Sequence, residues 1–211
     1  MKKLIALAAA LMLLCCGLYG CESESDKIDA IAGHWETVNY YTSDSVYDSL
    51  VGLDLYEEEI ALLDLSGIGL VDVIEFNTDK TYTITCNVDK SMAMVEQYFR
   101  DAFTTFYQNR DELDDCYEDD LSAMTEAEFQ QFYVDLYAQE SFDALIELFA
   151  SCITDEEHLL EDTETGTYRV LGNKVWCTPE GGSEAEYIVY SVEGDVLTLT
   201  WADGAIEYTR Q

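Results

Sequence analysis

Residues 185–210, AEYIVYSVEGDVLTLTWADGAIEYTR, decide how this chain is to be read. Three apolar-alternating runs are separated by two short turns, Glu193-Gly194-Asp195 and Ala202-Asp203-Gly204. Leu197, Leu199 and Trp201 alternate with threonines, and Ile206, Tyr208 and Arg210 alternate with Glu207 and Thr209. A period of two gives each strand one dry and one wet face. Glycine at the turns supplies the positive φ that tight hairpins need. The spacing predicts consecutive antiparallel strands joined by hairpins.

Upstream, TGTYRV and KVWCTP flank Leu171-Gly172-Asn173 in the same manner. Further back, LVDVIEF (70–76) and TYTITCNV (81–88) flank the turn NTDK, and His34–Tyr41 reads as another strand, rich in aromatic and β-branched residues. Residues 42–69 are ambiguous: DLYEEEIALLDL has helical spacing at Leu55, Ile60, Leu62 and Leu63, but Gly52, Gly67 and Gly69 interrupt it.

Between the third and fourth strands the period changes. Met92, Val95, Tyr98, Phe99, Phe103, Phe106 and Tyr107 form one helical stripe. After the acidic run RDELDDCYEDDL, Thr125 and Glu128 stand at the spacing of a capping box, in which each side chain satisfies a free amide of the other residue. Phe129, Phe132, Tyr133, Leu136 and Tyr137 follow. The stripe restarts out of phase at Phe142, Leu145, Ile146, Phe149 and Ile153, which reads as two helices or one kinked helix. The expectation is a mainly β fold: an eight-stranded antiparallel up-and-down barrel over residues 31–211, with a helical insertion at 89–163.

Gly33-His34-Trp35 opens the first strand, and Arg210 lies on the last. With FNTDKTYTIT and the closing hairpins, this resembles the lipocalin-like domains of bacterial lipoproteins over about half the chain. The resemblance implies that Trp35 closes one end of the barrel and that Arg210 packs across its ring by a cation–π attraction. Gly33, Trp35 and Arg210 are the only residues it carries over. The chain departs from that family in its helical insertion and in lacking a T-D-x-Y motif.

The amino terminus fits the same class. Lys2 and Lys3 precede an unbroken apolar run, LIALAAALMLL, too short to span a bilayer, which needs about 20 residues. Its length suits a secretory signal. Leu18-Tyr19-Gly20-Cys21 resembles a lipobox, with Tyr19 where a small residue is usual. Cys15 and Cys16 fit worse, because Leu14 and Cys15 would occupy the position that must be small. Residues 1–20 are therefore expected to be a lipoprotein signal peptide, Cys21 the lipid-attachment residue and residues 21–30 a polar tether. Two or more acyl chains give lasting anchorage where one does not. The protein is expected at the cell envelope, extracytoplasmic and lipid-anchored to a membrane.

Composition narrows the partners. With 44 acids against 10 bases the net charge is −34, which excludes nucleic acid. Apolar residues at 48% and aromatics at 12% are enough for a folded core despite that charge. Four cysteines follow Cys21. An even number in an exported chain suggests disulfides and allows three pairings. Pairing by structural unit favours Cys86 with Cys177, in strands, and Cys116 with Cys152, in the insertion; buried free thiols are the other reading. C-x-x-C is absent and there are only two histidines, so no zinc cluster is expected.

Neither His34 nor His158 lies in a nucleophile motif. A Cys152–His158 dyad is the weaker alternative to a disulfide. There is no glycine-rich phosphate loop, and DELDDCYEDDL lacks the central glycine of a calcium loop. No enzymatic activity, cofactor or metal is expected. The leading expectation is non-catalytic binding of a small apolar or amphipathic ligand in the barrel, with Tyr82, Ile84, Tyr168 and Tyr190 lining its cavity. The alternative is a filled barrel in a protein-interaction or envelope-assembly module that acts through the acidic helical insertion.

Overall fold

The alternating runs become strands where the hairpin turns allow. In the computed structural model, which describes residues 28, 30–40, 46–47, 50–154, 163–183, 187–202 and 204–211, these are β1 (Gly33–Tyr40), β2 (Gly69–Phe76), β3 (Thr81–Cys86), β4 (Glu164–Leu171), β5 (Lys174–Pro179), β6 (Ile188–Glu193), β7 (Val196–Thr200) and β8 (Ala205–Arg210). They close into an eight-stranded antiparallel barrel in which neighbours in sequence are neighbours in the sheet. Among the described residues the helices include α1 (Glu57–Ala61), α2 (Val88–Gln108), α3 (Arg110–Leu113), α4 (Glu126–Leu136) and α5 (Phe142–Ile153), with 3-10 turns at Leu65–Gly67, Asp114–Cys116 and Leu121–Ala123. The expected signal segment (1–20), the expected lipid-attachment residue Cys21, most of residues 21–30 and His158 lie outside the described residues.

Contacts divide the chain into two compact units. One gathers the described residues up to His34 with Glu75–Tyr82 and Gly166–Arg210; the other holds Trp35–Ile74 and Thr83–Thr165. In the first unit β4 pairs with β5 from Gly166↔Pro179 to Leu171↔Lys174, β6 with β7 from Val189↔Thr200 to Glu193↔Val196, and β7 with β8 from Val196↔Thr209 to Thr200↔Ala205. The inward series is Tyr168, Val170, Val175, Cys177, Tyr190, Leu197, Leu199 and Tyr208, all buried. Gly194 turns β6 into β7 at φ 63°, a conformation that a side chain would strain.

In the second unit three long amphipathic helices bury their stripes together. Phe103 packs edge-on against Tyr133 at 5.1 Å and Phe149 at 5.5 Å, and Phe99 against Phe149 at 5.3 Å. Each buried aromatic contributes roughly 1.5–3 kcal/mol of hydrophobic stabilisation, with edge-to-face contacts adding to it. Asn87 ends β3 by capping α2: its side chain accepts from the Lys90 amide at 3.2 Å. The strand expected to run to Val88 therefore stops at Cys86. The out-of-phase stripes resolve into two helices. Ala138 adopts φ 50° after α4, with its amide donating to Asp135 O and that of Gln139 to Val134 O. These are the two bonds of a Schellman stop. The Ser141 side chain then accepts from Ala144 N to start α5. The described part of residues 42–69, ambiguous in sequence, holds helical residues at 46–47 and 50–51, the short α1 and a 3-10 turn.

The disulfide expectation is corrected: neither Cys86 with Cys177 nor Cys116 with Cys152 forms a disulfide. Cys86 Sγ lies 3.2 Å from Ser91 Oγ. Cys116 sits beside Glu58, and Cys152 is on the exposed side of α5, whose buried side is Leu145, Ile146, Phe149 and Ala150. Cys177 is buried on β5, opposite Tyr168. Each thiol is committed to its own surroundings, so grouping the cysteines by structural unit did not bring any pair together.

Candidate functional site

The sequence pointed first at the barrel wall. Tyr82, Tyr168 and Tyr190 do face inward, at 1%, 3% and 8% exposure. Phe76 packs on Tyr168 at 4.9 Å and on Tyr82 at 6.4 Å. The Tyr168 hydroxyl donates to Asn77 O at 2.8 Å. Side chains so closely covered fill space. Ile84 is half-buried in the other unit. Trp35 is fully buried on β1, just after Gly33. Arg210 donates from Nη1 to Ala32 O and from Nη2 to Ala30 O, each at 3.0 Å, so its guanidinium ties the last strand to the chain entering β1.

The helical unit holds a group that the sequence reading passed over. Glu59, on α1, is a fully buried carboxylate. Its Oε1 accepts from the Tyr133 hydroxyl in a short hydrogen bond and from the Tyr117 hydroxyl at 2.8 Å. Oε2 accepts from the Tyr56 amide at 2.8 Å. Burial pushes the Glu59 carboxyl above its usual value, against the lowering effect of its three donors. Burial and the neighbouring carboxylate push the Tyr133 and Tyr117 hydroxyls well up, so both remain donors. The helical spacing of Leu55, Leu62 and Leu63 places Glu59 on the same stripe. That signal was present in the sequence, masked by the neighbouring Glu57 and Glu58.

Above this cluster the surface opens. Phe132, one residue before Tyr133 on α4, lies 5.0 Å from Tyr117 and 5.3 Å from Tyr133. Its other side forms, with Leu136, the apolar floor of a groove of about 440 Å³ lined by Asp119, Glu128, Gln131 and Asp135. Leu136 is half exposed. The capping box fixes one wall. The Thr125 amide and hydroxyl donate to Glu128 Oε2 at 2.9 and 2.7 Å, and these bonds hold the Glu128 carboxyl below its usual value and so ionised. Gln131 Nε2 donates to Asp135 Oδ1 at 2.8 Å, one helical turn on. The Glu59–tyrosine cluster thus stiffens the floor from beneath, and carboxylates ring an apolar strip.

Among the described residues, no group of three or more His, Cys, Asp or Glu side chains is arranged to hold a metal, and no helix is long and apolar enough to cross a membrane. No family model, curated protein or solved structure matches the chain.

Proposed function

We propose that this chain is a non-catalytic, extracytoplasmic lipoprotein, anchored through Cys21, built on a lipocalin-like up-and-down barrel and acting as a protein-interaction module. Its helical unit receives a basic amphipathic segment of a partner protein in the α4 groove. The carrying observation is the groove itself, with half-buried Phe132 and exposed Leu136 along its floor and Asp119, Glu128 and Asp135 around them. Such a strip suits a helix with an apolar face and flanking lysines or arginines. The chain's charge of −34 steers a basic partner toward it. The barrel reading is supported by chain-order pairing and by the places of Gly33, Trp35 and Arg210.

The other reading, a small apolar ligand in the barrel, needs inward side chains facing open space. The coverage of Tyr82, Tyr168 and Tyr190 weighs against it. Both readings are testable on one preparation. A lysine-flanked helical peptide with a leucine stripe should bind about tenfold more tightly than an equally charged peptide without the stripe, about 1.4 kcal/mol. Leu136→Asp should erase that difference. Equal binding of the two peptides would sink the groove assignment. An extra mass in the native mass spectrum that solvent extraction removes would restore the barrel ligand.

A further inference from the structure

Residues 166–179 hold Arg169 and Lys174 and no acid, in a chain with 44 acids. They make up the β4–β5 hairpin beyond Glu164 and Thr165, and within it Arg169 pairs with Trp176 and Leu171 with Lys174. Tyr168, Val170, Val175 and Cys177 point inward and are buried. Strand alternation therefore puts Arg169, Leu171, Lys174 and Trp176 on the outer face. There the Arg169 guanidinium lies 4.2 Å over the Trp176 ring, and Lys174 Nζ 3.5 Å over the Tyr187 ring. The two rings are 5.8 Å apart. Leu171, at the hairpin tip, is 66% exposed, and Tyr187 is also exposed.

An exposed aliphatic tip backed by aromatic rings and cations reproduces the order of chemistry at a bilayer boundary. Acyl chain lies deepest, amphipathic rings sit at the headgroup level, and cations meet phosphate. We infer that the outer face of the β4–β5 hairpin rests on the lipid headgroup layer of the membrane that carries the anchor. This inference relies on the anchorage proposed above. The chain from Cys21 to the start of β1 at Gly33 can extend at most about 3.6 Å per residue, roughly 40 Å in all, so the anchored protein cannot leave the surface. Elsewhere the acids that give the chain its charge of −34 oppose approach to phosphate. The stretch 166–179, which has no acid between Glu164 and Glu180, is the face that electrostatics turns toward the membrane.

The test uses the full chain, processed in a bacterial host and reconstituted in phosphatidylcholine–phosphatidylglycerol vesicles, in a Trp201→Phe background. Flotation reports the anchor. Quenching by lipids brominated high on the acyl chain reports the face, because Trp176 is partly exposed and Trp35 is fully buried. Quenching should reduce Trp176 emission at least twofold. Leu171→Glu with Lys174→Glu should abolish the effect while flotation persists, and a Trp176→Phe control should show no quenching. Flotation without quenching overturns the hairpin assignment alone, and failure to float overturns the anchorage and the assignment together. Quenching removed by millimolar inorganic phosphate would make this a site for free phosphate and overturn the headgroup reading.

Discussion

Glu59 combines a buried carboxylate with three hydrogen-bond donors. Replacing it with alanine would leave two tyrosine hydroxyls and an amide without their acceptor and open a cavity. Glu59→Ala should cost about 2–4 kcal/mol in urea unfolding. The pH dependence has a definite sign. Burial raises the folded-state value above that of the unfolded chain, so the native protein holds this proton more tightly. The contribution is fully present below the unfolded value and is lost as pH rises through the raised folded value. Stability of the wild type relative to Glu59→Gln should therefore fall with rising pH above about 4.5. A flat difference between pH 4 and 8 would show that Glu59 titrates normally. At Ala138, φ is 50° at a helix stop where glycine is preferred. Ala138→Gly should stabilise the chain by about 0.5–1 kcal/mol, seen as a higher urea midpoint.

At the scale of elements, β4 and β5 approach closely because Gly166 has no side chain. A Cβ there would stand 2.2 Å from Thr178 O and 2.8 Å from the Tyr82 ring. Gly166→Ala should destabilise by about 3 kcal/mol or more, with loss of cooperative unfolding by circular dichroism. What the sequence made legible was local. Strand alternation located the hairpins, helical stripes located α2, α4 and α5, and Thr125 with Glu128 marked the start of α4. What it left hidden was set by packing between distant elements. The two halves of the out-of-phase stripe gave no sign whether Ala138 would bend or end the helix. The cysteines lay in suggestive elements, but whether two thiols meet depends on which side of each element they occupy. Glu59 could be placed on its stripe, but the tyrosines that hold it come from residues 117 and 133. The α4 groove exists only because the cluster beneath it leaves Phe132 half outside.

Across the whole molecule, 44 acids against 10 bases make self-repulsion the main electrostatic feature. Local pairs such as Lys90–Glu36 at 2.5 Å and Arg100–Asp143 at 2.9 Å relieve little of it. Screening should therefore stabilise the fold. Raising sodium chloride from 10 mM to 0.5 M should lift Tm by several degrees, with about 1 kcal/mol corresponding to about 2–4 °C at this size. A fall in Tm would mean that attractive pairs outweigh repulsion.

The absence of the two expected disulfides carries a consequence for biogenesis. Burial pushes the thiols of Cys86, Cys116 and Cys152 above the usual thiol value, so little thiolate is available to start exchange chemistry. No disulfide joins any two of Cys86, Cys116, Cys152 and Cys177 in the folded chain. Maturation of this protein should thus proceed without an oxidoreductase and be indifferent to the redox poise of its surroundings, and its unfolding curve should superimpose with and without dithiothreitol.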